Sequence, residues 1–438
     1  MNSVSRLFMH KAFLRLIRSD NDMFLSLLNR LVTLGSLREM KLLANVLLTD
    51  RSHPFFKIIE RFKNEITPNC RGKIFENLFF KTKNNGEKGT PPTIFISVTN
   101  RCNLLCKGCS AHKQDPVDLD ISLIDWIISD AKNKGTRLFV LTGGEPFLRN
   151  EILTLMRKHR DTYFQIFTNG TVIDNRIAEK LSRNGNALVL FSLEGFADFT
   201  DFRRGKNVFH KVTSAMRLLK EKGVLFGTSI LVTPNNFDTV TSGEFIEELI
   251  KRGAFFAWYL TYKPVGDKLD LTLLFPPNQR HLLSEKVFHI RNSFPIIAID
   301  HENDVAPIGG CLATNCIGIH INAKGGIEPC GILHYYDTFV KHGEAIEDSI
   351  RKSSLLNEMK SFNSTLPSCP LIDRPRELSE IIKKIFPETY NHLTDFKFLQ
   401  EYIREYMKTP GYQERIDPVT RKDLYTHLAE YLLYTAFS

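Results

Sequence analysis

Between about residues 93 and 300, short apolar runs alternate with longer segments whose apolar residues recur at helical spacing. The runs lie at 94–98, 137–141, 163–167, 187–193, 225–232 and 255–261, and the amphipathic segments at 122–134, 151–160, 174–184, 209–222, 242–252 and 278–292. Short apolar runs that alternate with helical segments are typical of a parallel sheet covered by helices. The pattern therefore predicts an α/β fold with six strand–helix units.

Both ends of the chain lack this alternation. Residues 1–82 predict helices, including segments at 36–48 and 54–65, and a polar linker follows at 81–92. After residue 300 comes a cysteine-bearing segment, and helices return at 375–386, 395–407 and 421–437. We therefore expect a helical N-terminal segment (1–90), a core (91–300), a cysteine-rich region (301–375) and C-terminal helices (376–438).

Composition fits an ordinary globular protein and excludes some partners. Of 438 residues, 42% are hydrophobic and 24% charged, and no apolar run approaches the roughly 18 residues of a membrane span. Charged residues such as Arg15 and Asp20 interrupt any signal-peptide core, so we expect a cytoplasmic protein. The net charge of +9 suits an anionic substrate, an acidic peptide or a membrane surface. No basic patch is interleaved with aromatic residues, so we expect no nucleic acid partner.

The first predicted helix leaves two interpretations open. It places Arg6, Lys11, Arg15 and Arg18 beside a large apolar face. Such a helix lies either on a membrane surface or against the protein core, and we favour the core. A membrane surface is therefore the less favoured partner.

Three cysteines follow the first predicted strand directly. Cys102, Cys106 and Cys109 have the spacing CxxxCxxC, which supplies three thiolates from one loop. Structural zinc sites usually have four ligands, and nearby only His112 offers a fourth. A 4Fe-4S cube held by three thiolates keeps one iron open for a chelating ligand. The spacing alone leaves both interpretations open.

A glycine pair about thirty residues later decides between them. Gly143-Gly144-Glu145-Pro146 ends the second predicted strand, and paired glycines let a backbone approach a ligand closely. In this order and spacing, the two motifs resemble those of the radical SAM enzymes, and the resemblance extends over roughly residues 60–375. It implies a partial (β/α)6 TIM-like barrel that binds a 4Fe-4S cluster and S-adenosyl-L-methionine at the carboxyl ends of its strands.

The resemblance also assigns roles to residues at the strand ends. The methionyl amino group would be held by Gly143, Gly144, Glu145 and Pro146. Thr168 and Asn169 would lie beside the cofactor. Ser192 and Glu194 would meet the cofactor's ribose or carboxylate, and Arg204 would pair with that carboxylate. By spacing alone, 168–170 is a turn, Ser192 and Glu194 form a solvated face, and Arg204 pairs with Asp198 or Asp201. Tyr262 and Asp300 are catalytic candidates on the substrate side by position only.

One position departs from the family. Many relatives have an aromatic residue near the adenine just before the third cysteine, where this chain has Gly108. We therefore expect another residue to contact the adenine.

A second cysteine group lies in the region after the barrel and comprises Cys311, Cys316, Cys330 and Cys369. Residues 316–330 predict a β-hairpin, and glycine followed by four residues and cysteine resembles the SPASM and twitch domains. The full SPASM pattern has seven cysteines, so this region supports at most one auxiliary 4Fe-4S cluster. Cys316 would be its fourth ligand; otherwise one iron is open, and His320 or His334 becomes relevant. The alternative is a zinc site from the same four thiolates.

The resemblance implies an activity. The protein would cleave S-adenosyl-L-methionine reductively to a 5′-deoxyadenosyl radical that takes hydrogen from an unidentified small molecule or peptide. The electron would come from a flavodoxin or ferredoxin-type donor. Two alternatives remain: modification of a lipid at the membrane surface, and a non-catalytic zinc-binding protein.

Overall fold

The computed structural model describes residues 54–71, 90–109, 116–136, 138–263, 265, 270–275, 277–305, 310–360 and 369–387. Within these residues, nine strands form one sheet in the order β7-β6-β5-β4-β3-β2-β1-β8-β9. Neighbouring strands are parallel except for β8 and β9, which are antiparallel. The strands are β1 Thr93–Thr99, β2 Leu138–Gly143, β3 Tyr163–Thr168, β4 Ala187–Leu193, β5 Phe226–Val232, β6 Phe256–Thr261, β7 Ile297–Asp300, β8 Gly318–Ile321 and β9 Ile327–Glu328.

One helix precedes the first strand, others connect successive strands, and the rest follow the last strand. They are α1 Pro54–Glu65, α2 Ile121–Asn133, α3 Glu151–Lys158, α4 Asn175–Asn184, α5 Ala197–Arg204, α6 Val208–Glu221, α7 Phe237–Val240, α8 Gly243–Arg252, α9 Pro277–Ser293, α10 Ile346–Lys352, α11 Ser354–Met359, α12 Pro370–Asp373 and α13 Pro375–Ile385. Short 3₁₀ turns lie at Pro146–Leu148 and Leu271–Leu273.

The predicted α/β fold with a mostly parallel sheet, consistent with a partial TIM-like barrel, is confirmed. All six predicted strands are present, and so are the six helices that each follow one of them, with ends within two residues of the expected positions. The helices expected at 54–65 and 375–386 are also present. The first helix and the segments at 36–48, 395–407 and 421–437 lie outside the described residues.

Two strands join the sheet in ways that the sequence pattern did not predict. β7 pairs with β6, and it was missed because its apolar run is only four residues long. The hairpin expected at 316–330 forms as β8 and β9, but β8 also pairs in parallel with β1, from Thr93↔Gly318 to Ile96↔Ile321. The cysteine-rich region therefore extends the barrel sheet.

The two faces of the strands form separate cores. One face packs under the helices, with side chains such as Ile96 of β1 and Tyr259 of β6 fully buried. The other face lines the barrel lumen, where Leu190 and Trp258 meet Cys70, a buried packed thiol. In this lumen core the segment before the linker contributes further apolar side chains.

α1 closes the amino-terminal end of the barrel. The Arg61 guanidinium donates from Nη1 to the carbonyl oxygens of Ala254 at 3.1 Å and Pro295 at 3.0 Å, which lie just before β6 and β7. Ligands therefore have to enter from the carboxyl ends of the strands, where the sequence motifs lie. Among the described residues, no helix combines the length and apolarity needed to span a membrane.

Candidate active site at the carboxyl ends of the strands

The loop after β1 carries the first three cysteines, and it is anchored before the first of them. Thr99 Oγ1 donates to Asp118 Oδ1 at 2.5 Å, and the Arg101 guanidinium also binds the Asp118 carboxylate, with Nε to Oδ1 at 2.9 Å. Asn100 Oδ1 accepts the Val117 N–H at 2.6 Å. These bonds fix the start of the loop, here called the cluster loop (residues 100–109).

Cys102 and Cys106 are recessed within the cluster loop, while Arg101, Asn103, Leu105 and Lys107 are exposed. Cys102 Sγ accepts hydrogen bonds from Leu104 N at 3.5 Å and from Asn169 Nδ2 at 3.6 Å. Burial raises the pKa of the Cys102 thiol, and the Leu104 N–H opposes this rise. Three cysteines in one loop, with N–H donors directed at a sulfur, are a donor set that fits a cluster bound through three of its irons.

The glycine pair at the end of β2 lies directly against the cluster loop. Gly144 N donates to Thr99 O, and Glu145 N donates to Arg101 O, both at 2.8 Å. A Cβ on Gly143 would stand 2.0 Å from Thr99 O, and one on Gly144 would stand 2.0 Å from Arg101 O. Only glycines permit this contact between the two backbones, so the pair joins β2 to the cluster loop.

Glu145 ties the end of β2 to the end of β3. Its Oε1 accepts from Phe147 N at 3.0 Å and Thr168 Oγ1 at 2.7 Å, and its Oε2 accepts from Asn169 N at 2.7 Å. Its complete burial raises the pKa to about 7 although these donors oppose the rise. Pro146 is buried beside it and begins the 3₁₀ turn. Glu145 thus positions Thr168 and Asn169, and Asn169 in turn reaches Cys102.

Two arginines bind one buried carboxylate after β4. Glu194 accepts from Arg204 Nε at 2.6 Å, from Arg204 Nη2 at 2.8 Å and from Arg203 Nη1 at 2.7 Å. Burial alone would raise the pKa of Glu194, but the guanidinium groups of Arg204 and Arg203 hold it below its ordinary value. Burial likewise raises the pKa of the Cys106 thiol, and the same two arginines oppose that rise.

By spacing alone, Arg204 was expected to pair with Asp198 or Asp201. In the structure its partner is Glu194. Asp201 instead accepts the backbone N–H groups of Asn207 at 2.7 Å and Phe209 at 2.8 Å. Arg203, which was not among the candidates, has a buried Nε without a hydrogen-bond partner in the described part of the chain. A buried donor of this kind, beside the cluster loop, fits an anionic ligand.

Tyr262 fills the space that a side chain at position 108 would occupy. Gly108 has a φ of +63°, and its Cβ would stand 2.8 Å from Tyr262 Cε2 and 3.1 Å from the hydroxyl. The hydroxyl also accepts the Asp270 N–H at 3.3 Å. Tyr262 therefore lies against the cluster loop, in the space left by Gly108, where many relatives have an aromatic residue.

The other two candidates occupy different surroundings. Ser192 is half-buried in β4, in register with Ser229 of β5. Asp300 pairs in register with Tyr259 and therefore faces the helices, not the lumen. On that side its Oδ2 accepts a hydrogen bond from Asn303 Nδ2 at 2.6 Å. Burial, with Asp304 and Glu302 nearby, raises the pKa of Asp300 to about 7. This placement favours a structural role for Asp300 over contact with a substrate.

Three of the four later cysteines interact electrostatically, and the fourth differs from them in exposure. Burial and the neighbouring thiols Cys311 and Cys369 raise the pKa of Cys330 to about 12. Burial also raises the pKa of Cys369 to about 11, although Lys263 opposes the rise. Cys316 has an exposed thiol and a φ of +56°. Cys316, the expected fourth ligand, thus differs from Cys311, Cys330 and Cys369 in being exposed.

The two histidines considered beside this group share one carboxylate. Glu328 Oε2 binds Nδ1 of His320 at 2.7 Å and Nδ1 of His334 at 3.3 Å, and His320 Nε2 lies 2.8 Å from Ser97 Oγ of β1. This network joins β1 to the hairpin that carries Cys330. In the sequence, the only sign of this network was that His320 lies between two apolar residues of β8.

No three His, Cys, Asp or Glu side chains within the described ranges converge on a point suited to a single metal ion. An iron–sulfur cube binds each thiolate at a different iron, so its ligands do not need to converge in this way.

Comparisons with known proteins concern the same part of the chain. Residues 96–243 match the profile of the Radical SAM superfamily. The chain is 29% identical to Fe-coproporphyrin III synthase of Methanosarcina barkeri over 197 residues, which cover 42% of this chain and 49% of that protein. It is 28% identical to the sporulation killing factor maturation protein SkfB of Bacillus subtilis over 299 residues, 66% of this chain and 71% of that protein. The chain spans about half the length of the first curated relatives it matches.

The fold has solved counterparts. The crystal structure of Streptococcus suis SuiB bound to S-adenosylmethionine superposes with a TM-score of 0.55 at 17% identity, covering 63% of this chain and 68% of that chain. At this identity the likeness shows a shared fold.

Proposed function

We propose that the chain is a radical SAM enzyme, since residues 96–243 match the Radical SAM superfamily, and that it uses S-adenosyl-L-methionine and a 4Fe-4S cluster to remove a hydrogen atom from a small molecule or peptide. When bound, these two groups supply a one-electron reductive cleavage that yields a 5′-deoxyadenosyl radical. The observation that carries the proposal is the meeting of three elements around Cys102 and Cys106: the cluster loop, the Gly143–Gly144 backbone, and the arginine pair on Glu194.

We assign the protein's own contributions as follows. Cys102, Cys106 and Cys109 would bind the cluster, and the Gly143 and Gly144 carbonyls would accept the methionyl ammonium. Arg203 and Arg204 would hold the carboxylate of the cofactor, because a guanidinium has five donors and Glu194 engages only some of them. Ser192, two residues before Glu194 in the chain, would meet the ribose.

For the second cysteine group we propose an auxiliary 4Fe-4S cluster held by Cys311, Cys330 and Cys369. Backbone N–H groups of Ile332 and Leu333 hydrogen-bond to Cys330, as is usual around cluster thiolates. The exposed position of Cys316 argues against it as a ligand. This region, residues 301–375, would then act as a unit with the barrel core at 91–300.

The substrate class is proposed from the relatives. One match, over 299 residues, is to SkfB, a sporulation killing factor maturation protein, and another, over 197 residues, is to Fe-coproporphyrin III synthase. We propose that this chain tailors a peptide or a small metabolite, with the extent of the SkfB match favouring a peptide. The donor of the electron would be a flavodoxin or ferredoxin-type protein.

The test starts with iron, sulfide and zinc content of anaerobically reconstituted protein. Two cubane clusters would give about eight irons per chain. Cys311→Ser should lower the content by about four irons, while Cys316→Ser should leave it unchanged. Zinc in place of iron would support the zinc-protein alternative and contradict the proposal.

The second part of the test measures the activity itself. With dithionite as reductant, the wild-type protein should convert S-adenosyl-L-methionine into 5′-deoxyadenosine. Cys102→Ala should abolish this product, and Cys316→Ala is the matched control that should retain it. Cleavage that persists in Cys102→Ala would refute the ligand assignment.

A further inference from the structure

One buried carboxylate, that of Glu328, holds both histidines of the hairpin region. It is fully buried, and Asn322 Nδ2 donates to its Oε1 at 2.7 Å. Its Oε2 lies 2.7 Å from Nδ1 of His320 and 3.3 Å from Nδ1 of His334. An ionised carboxylate only accepts hydrogen bonds, so both imidazole rings carry a proton on Nδ1. In each neutral ring the lone pair is therefore on Nε2.

The two Nε2 atoms differ in what they contact. Nε2 of His320 lies 2.8 Å from Ser97 Oγ, which donates a hydrogen bond to it. Nε2 of His334 is buried and has no hydrogen-bond partner among the described residues. A buried acceptor without a partner destabilises a fold unless a ligand binds it. Of the two histidines, His334 is therefore the one that can bind a further group.

His334 also has the second hydrogen bond that is characteristic of metal-binding histidines. Such histidines bind the metal through one ring nitrogen and donate the other N–H to a carboxylate or a carbonyl, which fixes the tautomer and the orientation of the ring. The pair of His334 and Glu328 has this arrangement, with Nε2 left to bind a metal. His320 does not qualify, because Ser97 occupies its Nε2.

The loop that carries His334 also surrounds the sulfur of Cys330. Backbone N–H groups of Ile332 and Leu333 hydrogen-bond to Cys330. Tyr335 N donates to Leu333 O at 2.9 Å, which makes a tight turn centred on His334. Three residues separate Cys330 from His334, and paired metal ligands in one loop are commonly about two to five residues apart. The loop therefore places His334 at ligand spacing from Cys330.

We propose that Nε2 of His334 is the fourth ligand of the auxiliary cluster, beside the three thiolates already assigned to it. The proposal rests on the proposed function, which supplies that cluster. The Nε2 lone pair binds the iron that the three thiolates leave open, and the Nδ1 proton stays in the bond to Glu328, so no proton is released. The exposed Cys316 is then not needed as a ligand, and a substrate reacts without binding to the auxiliary cluster.

The experiment records the nitrogen hyperfine couplings of the reduced auxiliary cluster by pulsed EPR. The full-length chain carries Cys102→Ala, Cys106→Ala and Cys109→Ala, so that the signal comes from the auxiliary cluster alone, without the amino nitrogen of S-adenosyl-L-methionine. The spectrum should contain the coupling of a directly bound imidazole nitrogen. Growth on nitrogen-15 histidine should convert it into the coupling of that isotope, a comparison that does not depend on the folding of a His334 variant.

Three variants in the same background locate the nitrogen. His334→Ala should lose the coupling, whereas His320→Asn, the matched control in the same network, should keep it. His334→Cys supplies a thiolate instead, so it should hold about four irons per chain and lose the coupling. Its reduction potential should shift downward, because histidine in place of cysteine raises the potential of an iron–sulfur cluster.

Two results would overturn the proposal while leaving the auxiliary cluster in place. One is about four irons per chain in this background without any coupling from a histidine nitrogen. The other is a coupling that persists in His334→Ala. If the background protein holds zinc or no metal, the auxiliary cluster of the proposed function fails, and the inference fails with it. Formation of 5′-deoxyadenosine by the wild type tests the first cluster separately.

Discussion

Gly144→Ala is the substitution that tests most directly how the glycine pair at the end of β2 supports the cluster loop. The added Cβ would stand 2.0 Å from the Arg101 carbonyl oxygen and 2.4 Å from its carbon, whereas Cβ contacts below 3.0 Å are essentially never found. The two backbones must therefore separate by at least about 1 Å. That shift breaks the bonds from Gly144 N to Thr99 O and from Glu145 N to Arg101 O, each 2.8 Å long, because both would exceed hydrogen-bonding distance.

The cost follows from these contacts. Two hydrogen bonds contribute about 1 kcal/mol each, and overpacking in a tightly packed region costs about 1–3 kcal/mol more. We expect Gly144→Ala to lower the free energy of unfolding by about 3–5 kcal/mol, or to displace the cluster loop so that iron is lost.

Urea unfolding and iron content measure the two outcomes separately. The matched control is Gly243→Ala at the start of α8, where the new Cβ meets only the Phe294 ring, at 3.2 Å. It should stay within about 1 kcal/mol of the wild type, since alanine favours a helix over glycine. A Gly144→Ala protein with wild-type stability and full iron content would refute the inferred role of the glycine pair.

Three further predictions concern buried carboxylates. Glu145→Gln should lower the free energy of unfolding by about 2 kcal/mol in urea denaturation, because either orientation of the amide turns its NH₂ toward a backbone N–H, of Phe147 or of Asn169; an unchanged midpoint would contradict this. Glu194→Gln should destabilise the fold by about 3 kcal/mol, since it leaves two guanidinium groups facing a neutral amide. Glu179→Gln, at an ion pair on the surface, is the control and should leave the stability unchanged. Thermal unfolding of both variants measures the difference. Asp300 has a pKa raised from 3.8 to about 7, so its protonated form stabilises the fold below about pH 4, and this contribution is lost as the pH rises through 7. Asp300→Asn should therefore remove up to about 4 kcal/mol of pH dependence between pH 4 and 8; an unfolding free energy with the same pH slope in both proteins would disprove the assignment.

The alternation of apolar runs was enough to predict the six central strands, because a strand covered on both faces must be apolar along its whole length. β7 escaped prediction since four residues carry too little pattern. The hairpin was predicted from its turn, but its pairing with β1 was not, because register between distant strands depends on tertiary packing.

The same limit applies to the site. Motif spacing placed Cys102, Gly144 and Glu194 at the strand ends, and the structure has them there. It did not show that Glu194 binds both Arg203 and Arg204, or that Tyr262 fills the space beside Gly108, since these contacts join different loops. Position alone suggested Asp300, and the strand's alternation turned that side chain to the helix side.

The pairing of β1 with both β2 and β8 has a consequence for how the chain folds. β1 begins at Thr93, but its second partner begins only at Gly318, so one edge of β1 stays unpaired until the hairpin has been synthesised. Contacts of such long sequence separation slow folding, and an unpaired edge beside apolar residues is a template for aggregation. A chain truncated after the barrel strands would keep this edge open, whereas in the intact chain the hairpin protects it. Covering the free edge of β1, as well as carrying cysteines, is therefore a task of the cysteine-rich region.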